Sequence, residues 1–133
     1  MAAVVTQYGF VETAKLLTGV DSPVAFKYMM LGIGSQAEAT TNSTLVSEIS
    51  ASALSRVSAA TVTTASSATT ADTAKFVHTW TSDGSYSVKE CGVGNSNTKD
   101  KGDLLCYATF ASAIPMQSAD TLKVTWSVTV KAG

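Results

Sequence analysis

The sequence predicts an all-β fold, an antiparallel sandwich or jelly-roll-like barrel with a short N-terminal helix or arm. Three observations carry this. Thr121 to Lys131 alternates strictly, with Leu122, Val124, Trp126, Val128 and Val130 on one side and Lys123, Thr125, Ser127, Thr129 and Lys131 on the other. Such period-two patterning marks a strand with one wet face. Further, about six strand-like runs follow one another at a spacing of roughly 10–15 residues, separated by turn signals. Finally, the long amphipathic helices that an α/β fold needs between its strands are missing.

Taken in order, residues 1–7 are apolar and unpatterned and read as an arm. Tyr8 to Leu17 places apolar residues at 8, 10, 11, 14, 16 and 17, a weak helical signal ended by Gly19 and Pro23. Residues 1–25 thus form an arm with a short helix, and 26–133 a single sandwich domain. Phe26 to Leu31 is an apolar run closed by Gly32-Ile33-Gly34, a buried strand entering a turn. Gln36 to Ser43 is a polar loop. Thr44 to Ser50 is expected to be a short helix, capped by Ser43 or Thr44, with Leu45, Val46 and Ile49 facing the core. Leu54 to Thr64 reads as one long strand with a possible bend, and Ala65 to Ala71 as a turn of Ser, Thr and Ala. Thr73 to Thr81 alternates, setting Ala74, Phe76, His78 and Trp80 on one face. Asp83-Gly84 is a turn. Strands at Tyr86–Val93 and Leu104–Phe110 flank the polar loop 94–103. Ile114 to Asp120 is a connection before the last strand.

The 133 residues suit one domain with one core. Charged residues make up 14%, well below the usual quarter, and formal net charge is −1. With no basic cluster, nucleic acid binding is not expected. No apolar stretch is long enough to span a membrane. Met1 to Val5 lacks the features of a secretory signal, so the chain is expected to be made, and to stay, in a cytoplasm.

The candidate chemistry is sparse. Gly32-Ile33-Gly34 lacks the third glycine of a dinucleotide fingerprint, since Ala37 stands there, and reads as a tight turn. His78 has no nucleophile or acid placed to make a catalytic group of it and reads as a packed or interface histidine between Phe76 and Trp80. No catalytic residue, cofactor site or metal site is expected. Two cysteines and one histidine are too few to ligate a metal. If the strands at 86–93 and 104–110 form a hairpin, Cys91 and Cys106 become near-opposite. They read as two small core residues, with a late disulfide as the alternative. Arg56 and Glu90 are candidates for a structural ion pair, the alternative being that both are solvated. Asn42-Ser43-Thr44 has the form of a glycosylation sequon but reads more simply as a loop and helix cap.

The order of local patterns from 26 to 130 resembles a group of small tailed-phage virion structural proteins, head-decoration-like or tail-fibre-associated. The pieces that carry it are Phe26-Lys27-Tyr28-Met29-Met30-Leu31-Gly32-Ile33-Gly34-Ser35, Thr44-Leu45-Val46-Ser47-Glu48-Ile49, Leu54-Ser55-Arg56-Val57, Asp72-Thr73-Ala74-Lys75-Phe76, Val88-Lys89-Glu90-Cys91-Gly92-Val93, Gly102-Asp103-Leu104-Leu105-Cys106 and Asp120-Thr121-Leu122-Lys123-Val124-Thr125-Trp126. Cys91 and Cys106 stand where that group has small or basic residues. The resemblance implies a virion component with a β-sandwich or barrel body, a homotrimer, assembled in a host bacterial cytoplasm. It implies no catalytic residues.

The leading expectation is a capsid decoration (cement) protein clamping major capsid subunits. Its arm and helix, with Val4, Val5, Tyr8 and Phe10, would carry the contact, and removal of residues 1–7 would leave the domain folded. The alternatives are a tail-fibre or baseplate attachment module bound to tail structural proteins, and a carbohydrate-binding sandwich stacking sugars on Tyr86, Trp80 or Tyr107.

Overall fold

The computed structural model describes residues 2–65 and 72–130. Two antiparallel sheets pack face to face, as the alternating strands require. Strands β1 (Ala2–Val5), β2 (Tyr28–Gly32), β3 (Val57–Ser58), β6 (Tyr86–Gly94) and β7 (Leu104–Met116) form a five-stranded sheet ordered β1-β7-β6-β2-β3. Strands β4 (Thr61–Ala65), β5 (Thr73–Thr81) and β8 (Thr121–Thr129) form a three-stranded sheet ordered β4-β5-β8. One helix, α1 (Gln7–Thr18), lies between β1 and β2 in sequence.

The main core fills the space between the sheets. It takes Leu31, Val88, Cys91, Val93 and Cys106 from one side and Phe76, Trp80 and Trp126 from the other. A second apolar cluster, Met30, Leu45, Leu104 and Tyr107, lies on the opposite face of the five-stranded sheet. That face is covered by the irregular segment 33–50. A sheet buried on both faces explains why Met29, Met30 and Leu31 are all buried, a run rather than an alternation.

Several expectations change. The residues taken as a free arm form β1, paired with β7 from Ala2↔Thr109 to Val5↔Cys106. Thr6 then caps α1, its hydroxyl accepting from the Gly9 amide at 3.0 Å and donating to the Leu104 carbonyl. The N-terminal piece is therefore built into the sheet rather than set apart from 26–133.

Residues 44–50 are not helical. They form an irregular segment that runs beside β2 at 47–49, with Ile33 N–H donating to the Ser47 carbonyl and Ile49 N–H to the Leu31 carbonyl, each at 2.9 Å. Pairing with a neighbouring strand meets backbone needs that a helix would have met internally.

The long strand expected over 54–64 is two short ones, β3 and β4, in different sheets. The strand from Leu104 runs on through Pro115 to Met116. β1 has ended by then, so no neighbour on that side needs the N–H that proline lacks. Ala65 ends β4, and the rest of the expected turn, 66–71, lies outside the described residues. The helix, its end at Gly19 (φ 71°), and the strands at 73–81, 86–94 and 121–129 lie where the sequence places them.

Candidate docking surface

The polar residues singled out from sequence turn out to hold the fold. The carboxylate of Glu90, fully buried on the outer face of β6, accepts from the Tyr107 hydroxyl at 2.7 Å and the Val46 amide at 3.0 Å through Oε2, and from the Ser47 amide at 2.8 Å through Oε1. It thus ties segment 46–47 down onto the sheet. Gly32 sits directly across from it in the register, and a Cβ there would run into the carboxylate.

The expected Arg56–Glu90 pair is therefore not the one that forms. Arg56 makes a forked contact with Glu48, Nη2 to Oε1 at 2.6 Å and Nε to Oε2 at 2.9 Å. Its Nη1 also donates to the carbonyls of Ser96 and Lys101. Glu90 is already bonded by Tyr107, Val46 and Ser47, and Glu48, next along that segment, meets Arg56 instead. Both charges are shielded from water, so the pair fixes the loop 95–103 more than it adds net stability.

The two cysteines do lie in one hairpin, but not opposite one another. Cys91 faces Ala108 and Cys106 faces Val93 across the ladder, two residues out of step, and both are free thiols. Burial, then the neighbouring Glu90 charge, pushes the Cys91 thiol up to about 12. Burial pushes Cys106 up as well. Neither is a reactive thiol.

His78 packs edge-on against Trp80, ring centroids 4.8 Å apart, and burial lowers its pKa. Its Nδ1 and the Trp126 Nε1 are buried without hydrogen-bond partners. The indole N–H lies near the Cys91 sulfur, a weak acceptor that makes no bond of normal geometry with it. Trp80 and Tyr107 are wholly buried, so neither is a platform for sugar stacking, and only Tyr86 is even half-exposed. Asn42, the sequon asparagine, is buried and accepts from the Ala39 amide.

Among the described residues no group of three or more His, Cys, Asp or Glu side chains converges to hold a metal, and no helix is long and apolar enough to cross a membrane. A crevice beside Arg56 holds about 10 Å³, room for a water at most.

What remains is α1, and it is inside out. A surface helix normally turns its apolar stripe to the core. Here the buried residues are Gly9 and Glu12. Gly9 lies so close to β7 that a Cβ would come within 2.7 Å of the Leu105 carbonyl oxygen. Glu12, 5% exposed, accepts from the Val24 amide at 2.9 Å and holds down the segment after the helix. Its neighbour Asp103 has a raised pKa, from burial first and the Glu12 carboxylate second.

With Gly9 and Glu12 inward, Phe10 (58% exposed), Ala14 and Leu17 (85% exposed) form an outward stripe at i, i+4, i+7, with Val11 beside it and Val20 beyond its end. Lys15, half-buried, is the helix's one other charge and leans towards Asp21, 4.0 Å away. Beside α1, an apolar groove of about 340 Å³ opens between the sheets, lined by Thr13, Phe26, Val62, Phe76, Val128 and Val130.

Of the expected interface residues, Phe10 lies on this stripe. Tyr8 is half-buried at its margin, and Val4 and Val5 are half-buried in β1, packed against the apolar clusters. Val11, Leu17 and Val20 were not singled out, although the charge-free spacing of 10, 14 and 17 was visible. No protein-family model matches the chain, and no curated protein matches its sequence.

Proposed function

We propose that this chain is a non-enzymatic assembly module that docks on another protein through the outward face of α1. On its resemblance to small tailed-phage structural proteins, we assign it as a capsid decoration protein that binds between major capsid subunits.

The observation that carries the docking role is the inverted helix, which keeps a carboxylate in and sets Phe10, Val11 and Leu17 out. Side chains of this size sharing one uncharged face make a patch of several hundred Å², at the upper end of what monomers expose. Their burial at about 25 cal/mol per Å² is the natural driving force for association. The rigid sandwich behind α1 lets the helix bind without being ordered first, which lowers the entropy cost of docking.

Two measurements test this. Counting the chain in purified particles by quantitative mass spectrometry, and locating it by cryo-EM, tests the capsid assignment. Hundreds of copies on the shell support decoration. A few to tens of copies at the tail would instead make it a fibre or baseplate part. The docking role is tested by Leu17→Glu. At so exposed a site it should leave stability within about 0.5 kcal/mol of wild type while abolishing incorporation into particles. Undiminished incorporation of a folded Leu17→Glu protein would remove α1 from the interface.

A further inference from the structure

We infer that β8 is a self-association edge, on which a second copy of this chain adds its own β8 antiparallel about Thr125. Which backbone groups of β8 are free follows from the ladder. At its two ends, the Val130 amide donates to the Asp72 carbonyl at 2.9 Å and the Ser82 amide to the Asp120 carbonyl at 2.8 Å. The register between, Thr73↔Thr129 to Thr81↔Thr121, has no bulge. Hydrogen-bonded pairs alternate along an antiparallel ladder. The even-numbered residues of β8 therefore bond to β5. Thr121, Lys123, Thr125, Ser127 and Thr129 turn their N–H and C=O groups to the open edge. Among the described residues no backbone group answers them.

Among the described residues the other edges are shorter or interrupted: β4 has five residues, and the part of β7 beyond β1 carries Pro115. β1 has four residues, and β2 is flanked by β3 and by the 47–49 segment. β8 has nine residues with no proline and no bulge, and a single charge, Lys123. Edges of monomeric proteins are usually blunted by such devices.

The strand is complementary to itself, and this selects a second copy as the occupant. Only odd residues can meet odd residues across this edge, and full overlap centres the two-fold axis on Thr125. Thr121 then faces Thr129 of the other copy, and Lys123 faces Ser127, so no like charges meet. On the inner face Val124 comes against the other copy's Trp126, and Leu122 against Val128, apolar pairs of the kind that stabilise sheets. A groove of about 180 Å³ between β8 and β1, lined by Val5, Trp126 and Val128, leaves room for these side chains. The product is a continuous sheet of six strands. An isologous contact closes at two copies, which argues for a dimer in place of the trimer that the resemblance implies. This inference stands apart from docking through α1.

The test is oligomeric state by analytical ultracentrifugation together with amide hydrogen exchange, on wild type, Thr125→Lys and Thr125→Pro. Thr125→Lys sets two ammonium groups across the axis. Thr125→Pro removes an amide that points away from β5, so the monomer's own ladder is spared. Wild type should be dimeric at about 100 µM, an ordinary range for a modest interface, with the amides of Lys123 and Ser127 exchanging slowly. Both variants should be monomeric, with those amides exchanging at least tenfold faster and Val124 and Trp126 still protected. A monomeric wild type, a dimer whose Lys123 and Ser127 amides exchange freely, or a dimer that survives both substitutions would each overturn the inference.

Discussion

Tyr107→Phe tests whether Glu90 is the residue that fastens segment 33–50 to the sheet. The substitution keeps the ring in its cluster with Met30, Leu45 and Leu104 and removes only the hydroxyl. Glu90 Oε2 then loses its 2.7 Å donor and keeps the Val46 amide, while Oε1 keeps the Ser47 amide. The Gln36 amide, which donates to the same hydroxyl at 3.2 Å, lies where water can replace it. A hydrogen bond to a charged group contributes about 1.5–3 kcal/mol, and no cavity is made, so the loss should be about 2 kcal/mol. For a chain of this size that lowers Tm by roughly 6–8 °C. Urea unfolding followed by fluorescence of the core residues Trp80 and Trp126 measures it, with the m-value expected to hold. Glu90→Gln should also destabilise, and the double variant should lose less than the sum, because both singles break one bond. A Tyr107→Phe protein within about 0.5 kcal/mol of wild type, or a strictly additive cycle, would refute the reasoning.

Gly9→Ala should destabilise despite the better helix propensity of alanine. Its Cβ would meet the Leu105 backbone at 2.7 Å, and overpacking costs about 1–3 kcal/mol against a propensity gain of about 1, read by thermal melting. Deleting residues 1–6 should lower stability sharply, since it removes both the β1 ladder and the Thr6 cap. A truncated protein that melts with wild type would return β1 to the status of a free arm. Alkaline pH should unfold the protein. The unfolded chain releases the Cys91 proton at 9.0 and the folded protein holds it to about 12, so stability present below 9 is lost as pH rises towards 12, by about 1.4 kcal/mol per unit for this group alone. Tyr107, raised above 10.0 by burial and then by Glu90, adds to the same loss, which pH-dependent urea midpoints would trace. Iodoacetamide should leave both cysteines unmodified in the folded protein at neutral pH and label both in urea, as mass spectrometry would show.

The sheet strands were legible wherever one face is wet. β8 announces itself through Lys123, Thr125 and Ser127 alternating with Leu122, Val124 and Trp126, and β5 does so through Phe76, His78 and Trp80. The failures share a cause. Residues 33–50 have no period because they cover a sheet face as irregular chain, held by Glu90, by Glu38 on Thr109 and by Arg56 on Glu48. Those contacts span 8 to 71 positions of sequence, and no local rule reports them. The hairpin of β6 and β7 was legible, but its register was not. The irregularity at Val93/Gly94 shifts the pairing next to the loop, so that Cys91 meets Ala108 and lies diagonal to Cys106 rather than across from it.

The polarity of α1 was hidden for a different reason. Sequence gives the direction of a helix's apolar stripe but not which way the body lies, and the default assumption is that the stripe faces the core. Two residues reverse it here. Gly9 allows the backbone of α1 to approach the backbone of β7, an approach that any side chain at that position would block. Glu12, about half a turn away from the stripe, finds a buried amide at Val24 to bond. Once the close approach is set at Gly9, a stripe at 10, 14 and 17 can only point outward. Apolar side chains left in water by such a constraint gain nothing for the monomer, and their burial is available only to association. The proposed docking through α1 rests on that inversion, because it leaves Phe10, Val11 and Leu17 in water on one uncharged face.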